Sequence, residues 1–220
     1  MQRVLPLYLA VDVSGSMAHG ARLDAVQQAL ILLFDELLSS PALGDQVRVG
    51  VMTFADKTEL VLPLGDMTEL RSMPRLSPRG ATAFGPLFRA LGRTIERDMR
   101  VLRSRDTLTY RPFIFLITDS TPSDHERDWG NAFDEFDRRT KARLVVITMT
   151  PDRDDVWRRL RPVAVYQWNE THDEVLADRI YGAVYNYART LTTSTMLGGH
   201  RDGQPLLPPP YPHLGEPDIR

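Results

Sequence analysis

The chain of 220 residues contains no cysteine, and this absence excludes several kinds of site at once. Disulfide scaffolds, thiolate zinc sites, iron–sulfur clusters and cysteine nucleophiles all require that side chain. Long apolar runs are also missing, because the longest helical one, residues 29–34, is far shorter than the roughly 20 residues of a membrane span. Residues 1–6 have no apolar segment of the secretory type. We therefore expect a cytoplasmic protein without a membrane span.

A charge excess of one sign is lacking as well. The 27 basic and 29 acidic side chains give a formal net charge of -2, so no chain-wide attraction to nucleic acid or to an anionic membrane is expected. Hydrophobic residues make up 42% and charged residues 25% of the chain. This is ordinary globular usage, and it excludes disorder throughout the chain.

Short apolar runs alternate with amphipathic segments along most of the chain. The runs predict strands at residues 7–13, 46–54, 58–64, 112–118, 143–149 and 164–168. The 3.6-residue periods predict helices at residues 22–40, 86–105, 129–139, 156–160 and 173–191. This alternation predicts an α/β fold, a Rossmann-like three-layer α/β/α arrangement with a mostly parallel central sheet. The hairpin of residues 46–64, which contains Pro63, should supply one antiparallel edge strand.

The composition changes near the carboxyl end of the chain. We expect one domain over residues 1–195 and a proline-rich tail over residues 196–220, which include three consecutive prolines at 208–210. Such a tail cannot form a helix or a central strand, so it is expected to be flexible or to wrap the surface. A polyproline II segment that enters a partner's groove is the alternative.

Oxygen-bearing side chains follow three of the predicted elements. The loop after the first strand carries Asp12, Ser14 and Ser16, a later loop carries Thr82, and the loop after the most apolar strand carries Asp119. The carboxyl ends of parallel strands form one edge of a sheet, where ligands bind. Carboxylates and hydroxyls without histidine or cysteine suit Mg²⁺, Mn²⁺ or Ca²⁺ better than zinc or copper. The alternative is that these residues cap the helices that follow them, and Gly15 is expected to relieve crowding in the first turn.

These motifs resemble a known metal site. Asp12-Val13-Ser14-Gly15-Ser16, with Thr82 in Gly80-Ala81-Thr82 and Asp119 in Ile117-Thr118-Asp119, resembles the metal-ion-dependent adhesion site of von Willebrand factor type A domains, over roughly residues 4–190. The resemblance implies hydroxyl ligands at Ser14, Ser16 and Thr82, with Asp12 and Asp119 binding the ion directly or through water. The implied ion is Mg²⁺, or else Mn²⁺ or Ca²⁺. Ser120 is a departure, because glycine often follows the last aspartate in that family.

The resemblance also implies a function. In that family the ion keeps one coordination position open for an acidic residue of a partner protein, which implies a non-catalytic protein–protein interaction module. The chain resembles, less specifically, small bacterial A-domain proteins of tellurite-resistance and stress-response gene clusters. Phosphatase or kinase-like proteins of the same cluster are then the implied partners.

An enzyme is the alternative from another class. In this alternative, Asp12, placed after the first strand, serves as the nucleophile of a metal-dependent phosphoryl hydrolase. A haloacid-dehalogenase-type enzyme would require a second aspartate at position 14 as its acid and base. The serine there cannot perform that role near neutral pH, so the sequence favours the interaction module.

Overall fold

A computed structural model describes residues 3–69, 72–149, 154–168 and 172–196. The strands are β1 (Arg3–Asp12), β2 (Val47–Phe54), β3 (Thr58–Gly65), β4 (Leu108–Thr109), β5 (Phe113–Thr118), β6 (Arg143–Thr148) and β7 (Ala164–Gln167). The helices are α1 (Arg22–Ser39), α2 (Pro41–Gly44), α3 (Phe84–Ser104), α4 (Glu126–Thr140), α5 (Asp154–Leu160) and α6 (Asp173–Met196). Two 3-10 segments, Gly15–Ala21 and Met67–Glu69, complete the described secondary structure.

The strands form one sheet in the order β3-β2-β1-β5-β6-β7, and β4 pairs with β1. All pairs are parallel except that of β2 with β3, which lies at one edge of the sheet. The predicted α/β fold with a mostly parallel sheet and one antiparallel edge strand is therefore confirmed. In the register of the central strands, Leu7 of β1 lies opposite Val49 of β2 and Phe113 of β5.

The two faces of β1 are covered by different helices. Leu7 and Leu9 are buried in a core that they share with α1 and α6. Tyr8 and Ala10 are buried with α3 and α4 in a second core, which is rich in aromatic rings. Alternate residues of a strand point to opposite faces of the sheet. The uninterrupted apolar run of β1 is thus the pattern of a central strand that is buried on both sides.

The first strand is longer than the apolar pattern predicts, because it begins at Arg3 and continues through Pro6. The Leu5 amide donates to Gln46 on the β2 side, at 2.7 Å. The nitrogen of Pro6 consequently faces the other neighbour. On that side β4 pairs only with Arg3 and Val4, and pairing with β5 begins at Leu7. The proline sits where no ladder hydrogen bond is needed, which is why a central strand tolerates it.

The helices also differ from the predicted bounds. α3 begins two residues earlier than predicted, α4 begins three residues earlier, and α6 continues to Met196 instead of ending near residue 191. The two-residue strand β4 and the helix α2 were not predicted, because segments this short carry no period. No helix of the described chain is long and apolar enough to cross a membrane. Residues 197–220, which make up almost all of the predicted tail, lie outside the described residues.

Candidate metal centre

The predicted site residues meet at the carboxyl-end edge of the sheet. From β1 the chain continues through α1 to β2, whereas from β5 it continues through α4 to β6 on the other side. Neighbouring strands whose connections diverge in this way leave a crevice between their ends. An open cleft of about 420 Å³ lies there, lined by residues 14–16, 80–82, 119–121 and 123.

The two serines after β1 form the centre of the cluster. The Ser14 and Ser16 Oγ atoms are 3.0 Å apart, and Ser16 Oγ donates to Asp119 Oδ1 at 2.6 Å. Two adjacent ligands of an octahedral Mg²⁺ with bonds of about 2.1 Å lie about 3 Å from each other. The serine hydroxyls therefore already have the separation that two neighbouring ligands of such an ion require.

Asp12 is fully buried at the end of β1. Its Oδ1 accepts the Ser14 amide at 2.8 Å, and its Oδ2 accepts the hydroxyls of Thr118 at 2.5 Å and Thr82 at 3.3 Å. Within the described residues it makes no ion pair. Burial raises the pKa of Asp12 above its ordinary value, the charge of Asp119 adds to this, and the hydrogen bonds from Thr118 and Ser14 oppose it. Among the described residues, the Asp12 carboxylate is therefore held by hydroxyls and one amide, without a cation that compensates its charge.

The loop that carries Thr82 depends on Gly80. This glycine has φ +60°, and a Cβ added there would lie 1.9 Å from the Asp56 carboxylate, which accepts the Ala81 amide. The Gly80 carbonyl accepts the Gly15 amide at 3.0 Å and so joins this loop to the serine turn. The expectation that Gly15 relieves crowding is wrong, because a Cβ there would meet only Gly80 O at an ordinary 3.7 Å. Of these two glycines, Gly80 is the one that the backbone requires.

The loop after β5 is fastened to the loop of Thr82. Ser123 donates its amide and its hydroxyl to the Thr82 carbonyl, at 2.7 and 2.6 Å. The Asp124 carboxylate accepts the amides of Phe84 at 2.9 Å and Gly85 at 2.7 Å. Asp124 therefore caps α3, across the cleft edge, and does not cap α4, which follows it in sequence. These bonds fix Thr82 relative to Asp119.

Sequence reasoning missed three residues of the cluster. Thr118 donates to Asp12, and its position directly before Asp119 on the strand beside β1 was a usable signal. Ser120, noted only as a departure, donates to Asp119 Oδ1 at 2.8 Å and lies 2.8 Å from Ser16 Oγ. Arg22 Nη1 donates to Asp119 Oδ2 at 2.6 Å. That pair joins residues 97 positions apart, and no local pattern indicates it.

The donor set fits a hard divalent cation. No cluster of three or more His, Asp or Glu side chains suited to a metal occurs in the described part of the chain. An ion held here would thus depend on hydroxyl oxygens as well as carboxylates, and such donors favour Mg²⁺, Mn²⁺ or Ca²⁺. Of the five predicted ligands, Ser14, Ser16, Thr82 and Asp119 line the cleft, and Asp12 is buried next to it, where it accepts the Thr82 hydroxyl.

The family follows from comparison with known domains. The model of the von Willebrand factor type A domain matches residues 7–121, which is more than half of the chain. The chain belongs to the von Willebrand factor type A family. Domains of this family are generally interaction modules that mediate protein–protein contacts, and not enzymes.

Solved structures agree with this assignment at the level of the fold. A von Willebrand factor type A protein from Catenulispora acidiphila is 16% identical, with a TM-score of 0.64 over 86% of this chain and 43% of that one. The PilB minor pilin of Streptococcus sanguinis, as its D319A mutant, is 11% identical, with a TM-score of 0.62 over 91% and 64%. The pilus adhesin SpaC of Lactobacillus rhamnosus GG is 13% identical, with a TM-score of 0.65 over 87% and 30%.

The chain thus spans less than two thirds of the length of each of these three structures. At such identities the likeness concerns the fold alone. A comparison with curated proteins finds no match.

Proposed function

We propose that the chain is a non-catalytic interaction module whose cleft binds a divalent cation and, through it, an acidic residue of a partner protein. The observation that carries this proposal is the convergence of four oxygen-bearing side chains at an open cleft, with the Asp12 carboxylate buried directly next to them. A bound divalent cation would supply a positive centre that a partner's carboxylate can complete. Mg²⁺ is the first candidate, with Mn²⁺ and Ca²⁺ as alternatives.

The proposed ligands differ in their burial and in their charge. Ser14 and Thr82 are buried and Ser16 is half-buried, and their neutral hydroxyls add no negative charge. Asp12 lies beneath them and Asp119 beside them, so only two carboxylates oppose the charge of the cation. Two carboxylates balance a divalent cation without an excess of negative charge, so an open coordination position on the ion can still attract an incoming Asp or Glu.

The position of Asp12 opposes the phosphoryl hydrolase. Its side chain is fully buried, both of its oxygens accept hydrogen bonds, and it is not among the residues that line the described cleft. A nucleophile must reach the phosphorus atom along an open path. Asp12 has no such path while Ser14 and Thr82 cover it, so the interaction module is the function that the geometry supports best.

Thermal unfolding tests the ion site directly. We would measure the unfolding temperature in EDTA and in millimolar Mg²⁺, Mn²⁺ or Ca²⁺, for the wild type and for Asp12→Ala. A ligand at about 100 times its dissociation constant stabilises the native state by about 2.7 kcal/mol, which raises the unfolding temperature by about 5–10 °C in a domain of this size. The proposal expects this rise in the wild type and none in Asp12→Ala. No rise with any ion would remove the metal from the proposed function.

Partner capture needs a second experiment with a defined probe. The Mn²⁺-loaded protein would be titrated with a short peptide that carries one Glu, and with the same peptide carrying Gln, while water proton relaxation is recorded. Entry of a carboxylate to the ion displaces water and lowers the relaxation enhancement. The proposal expects the effect for the Glu peptide only, and an equal response to both peptides would contradict it.

The narrower assignments rest on the sequence resemblance and are proposed with it. They are a cytoplasmic role in bacterial tellurite resistance or stress response, with phosphatase or kinase-like proteins of the same gene cluster as partners. Deletion of the gene in its native host, followed by growth on tellurite, tests the role. Normal growth, compared with a strain complemented by the wild type, would contradict it.

A further inference from the structure

Arg22 forms an ion pair with one of the candidate metal ligands. Its Nη1 lies 2.6 Å from Asp119 Oδ2, and the Asp119 side chain is 0% exposed while that of Arg22 is 33% exposed. The other carboxylate oxygen, Oδ1, accepts the hydroxyls of Ser16 at 2.6 Å and Ser120 at 2.8 Å. The two oxygens of Asp119 thus have different neighbours: hydroxyls of the serine cluster on one side, and a guanidinium on the other.

Arg22 is close in sequence to the serine turn of residues 14–16. It is the first residue of α1 and follows the 3-10 segment Gly15–Ala21, which begins within the serine turn. The ion pair therefore joins the loop after β1 to the loop after β5 directly beside the cleft. Asp12, the other carboxylate among the candidate ligands, has no ion pair among the described residues.

We propose that Arg22 is a built-in cation that neutralises Asp119 when the site holds no ion, and that it thereby sets the affinity of the site for divalent cations. Asp12, Asp119 and Arg22 together carry a formal charge of -1, whereas the two carboxylates alone carry -2. A less negative site attracts a divalent ion less strongly. The same guanidinium leaves the loaded site more positive toward a partner's carboxylate. This inference rests on the proposed function, because it concerns the affinity of that site.

The test measures two quantities for each variant: its affinity for the ion and its unfolding temperature without the ion. Mn²⁺ and Mg²⁺ would be titrated calorimetrically into metal-free wild type, Arg22→Gln and Arg22→Lys, and unfolding temperatures would be recorded in EDTA. We expect Arg22→Gln to bind the ion about tenfold more tightly, because a nearby positive charge is removed. Its unfolding temperature in EDTA should be lower, since Asp119 is then a buried carboxylate without its cation. Arg22→Lys keeps the charge and should remain close to the wild type in both measurements.

Arg159→Gln is the matched control. Arg159 is also 33% exposed and pairs with Asp134 at 2.5 Å, between α5 and α4, where neither residue lines the cleft. Its substitution should leave the dissociation constant of the ion unchanged. If the role of Arg22 is purely structural, Arg22→Gln should lower the unfolding temperature both with and without the ion. Its dissociation constant for the ion should then be unchanged, as in the control. That result, or weaker ion binding in Arg22→Gln, would overturn the proposal.

The remaining outcomes separate this inference from the proposed function. Equal ion binding by the wild type and Arg22→Gln overturns the role of Arg22 and leaves the ion site in place. Ion binding by Arg22→Gln alone supports the role, because the guanidinium then blocks the site in the wild type. Absence of ion binding in all variants overturns both.

Discussion

Two buried carboxylates, one at the end of β1 and one bonded to a side chain of that strand, have different partners. Asp12 lies at the cleft end of the strand, where its described partners are the Ser14 amide and the hydroxyls of Thr82 and Thr118. Asp98 of α3 is also buried, but it accepts the Tyr8 hydroxyl at 3.0 Å and pairs with Arg97 at 2.9 Å. One carboxylate has hydroxyls and a cleft above it, and the other has a cation.

The partners of a buried carboxylate indicate whether its role is structural or whether it can bind a cation. Asp98 has a guanidinium and a phenol as partners, and none of its described hydrogen bonds goes to a candidate ligand, so its removal should cost stability only. Asp12 has only neutral donors as its described partners, so it retains an unfavourable desolvation that a ligand of positive charge can offset. Burial alone therefore does not separate these acids, and neither does an ion pair, because Asp119 pairs with Arg22. Asp12 and Asp119 differ from Asp98 in their contacts with the hydroxyls of Thr82 and Ser16, which line the open cleft.

The largest expected effect separates the two acids by ion response. Asp12→Asn should lose the ion-dependent rise in unfolding temperature, about 5–10 °C at saturating Mg²⁺ or Mn²⁺, while its stability in EDTA changes little. Asp98→Asn should keep the full rise but lose about 1–2 kcal/mol of unfolding free energy, because the bonds from Tyr8 and Arg97 weaken. Thermal and urea unfolding of both variants check this. A lost ion response in Asp98→Asn would show that the comparison is wrong.

The next effect concerns the loop that brings Thr82 to Asp12. Gly80→Ala should lower the unfolding free energy by about 2 kcal/mol, because a left-handed alanine costs about 1 kcal/mol and its Cβ would displace the Asp56 carboxylate. Ion binding should weaken as Thr82 shifts. Gly20→Ala is the matched control, since Gly20 also has φ +60° but nothing within 4 Å of an added Cβ. Equal costs and unchanged ion binding in both variants would contradict the role of Gly80.

The buried hydroxyl of Tyr8 should make the stability of the protein depend on pH in alkali. Burial raises the pKa of Tyr8 above its ordinary value, and Asp98 adds to the shift. Because the pKa is higher in the folded protein, stability is complete below about pH 10 and falls as pH rises above it, by about 1.4 kcal/mol per pH unit for each such tyrosine. Burial also raises the pKa of Tyr187, so two groups contribute.

Urea unfolding between pH 9 and pH 11 checks this dependence. Tyr8→Phe should reduce the alkaline slope by about half, because only Tyr187 of the two then remains. Tyr110→Phe, at a half-buried tyrosine outside this pair, serves as the control. A slope that Tyr8→Phe leaves unchanged would place the alkaline sensitivity elsewhere in the molecule.

Sequence alone could predict the layers and the cleft edge, since each depends on local patterns. The apolar run of β5 and the helical period of α1 indicated their elements, and strand ends placed Asp12 and Asp119 together. Contacts between distant residues could not be predicted in this way. Arg22 meets Asp119 only through the packing of α1 beside the loop after β5, and Asp124 caps a helix that precedes it by 40 positions.

The smallest expected effect tests backbone strain beside the cleft. Ala21, directly before Arg22, has φ 51°, a left-handed conformation that costs a non-glycine residue about 1 kcal/mol. Ala21→Gly removes that cost but gives the unfolded chain more freedom, so we expect a net gain of about 0.5 kcal/mol. Ala90→Gly, within α3, should instead lose about 1 kcal/mol. If Ala21→Gly instead lowers the unfolding free energy in urea, the left-handed conformation of Ala21 does not cost the expected strain. Unchanged ion binding in that variant would show that Arg22 keeps its position without the Ala21 side chain.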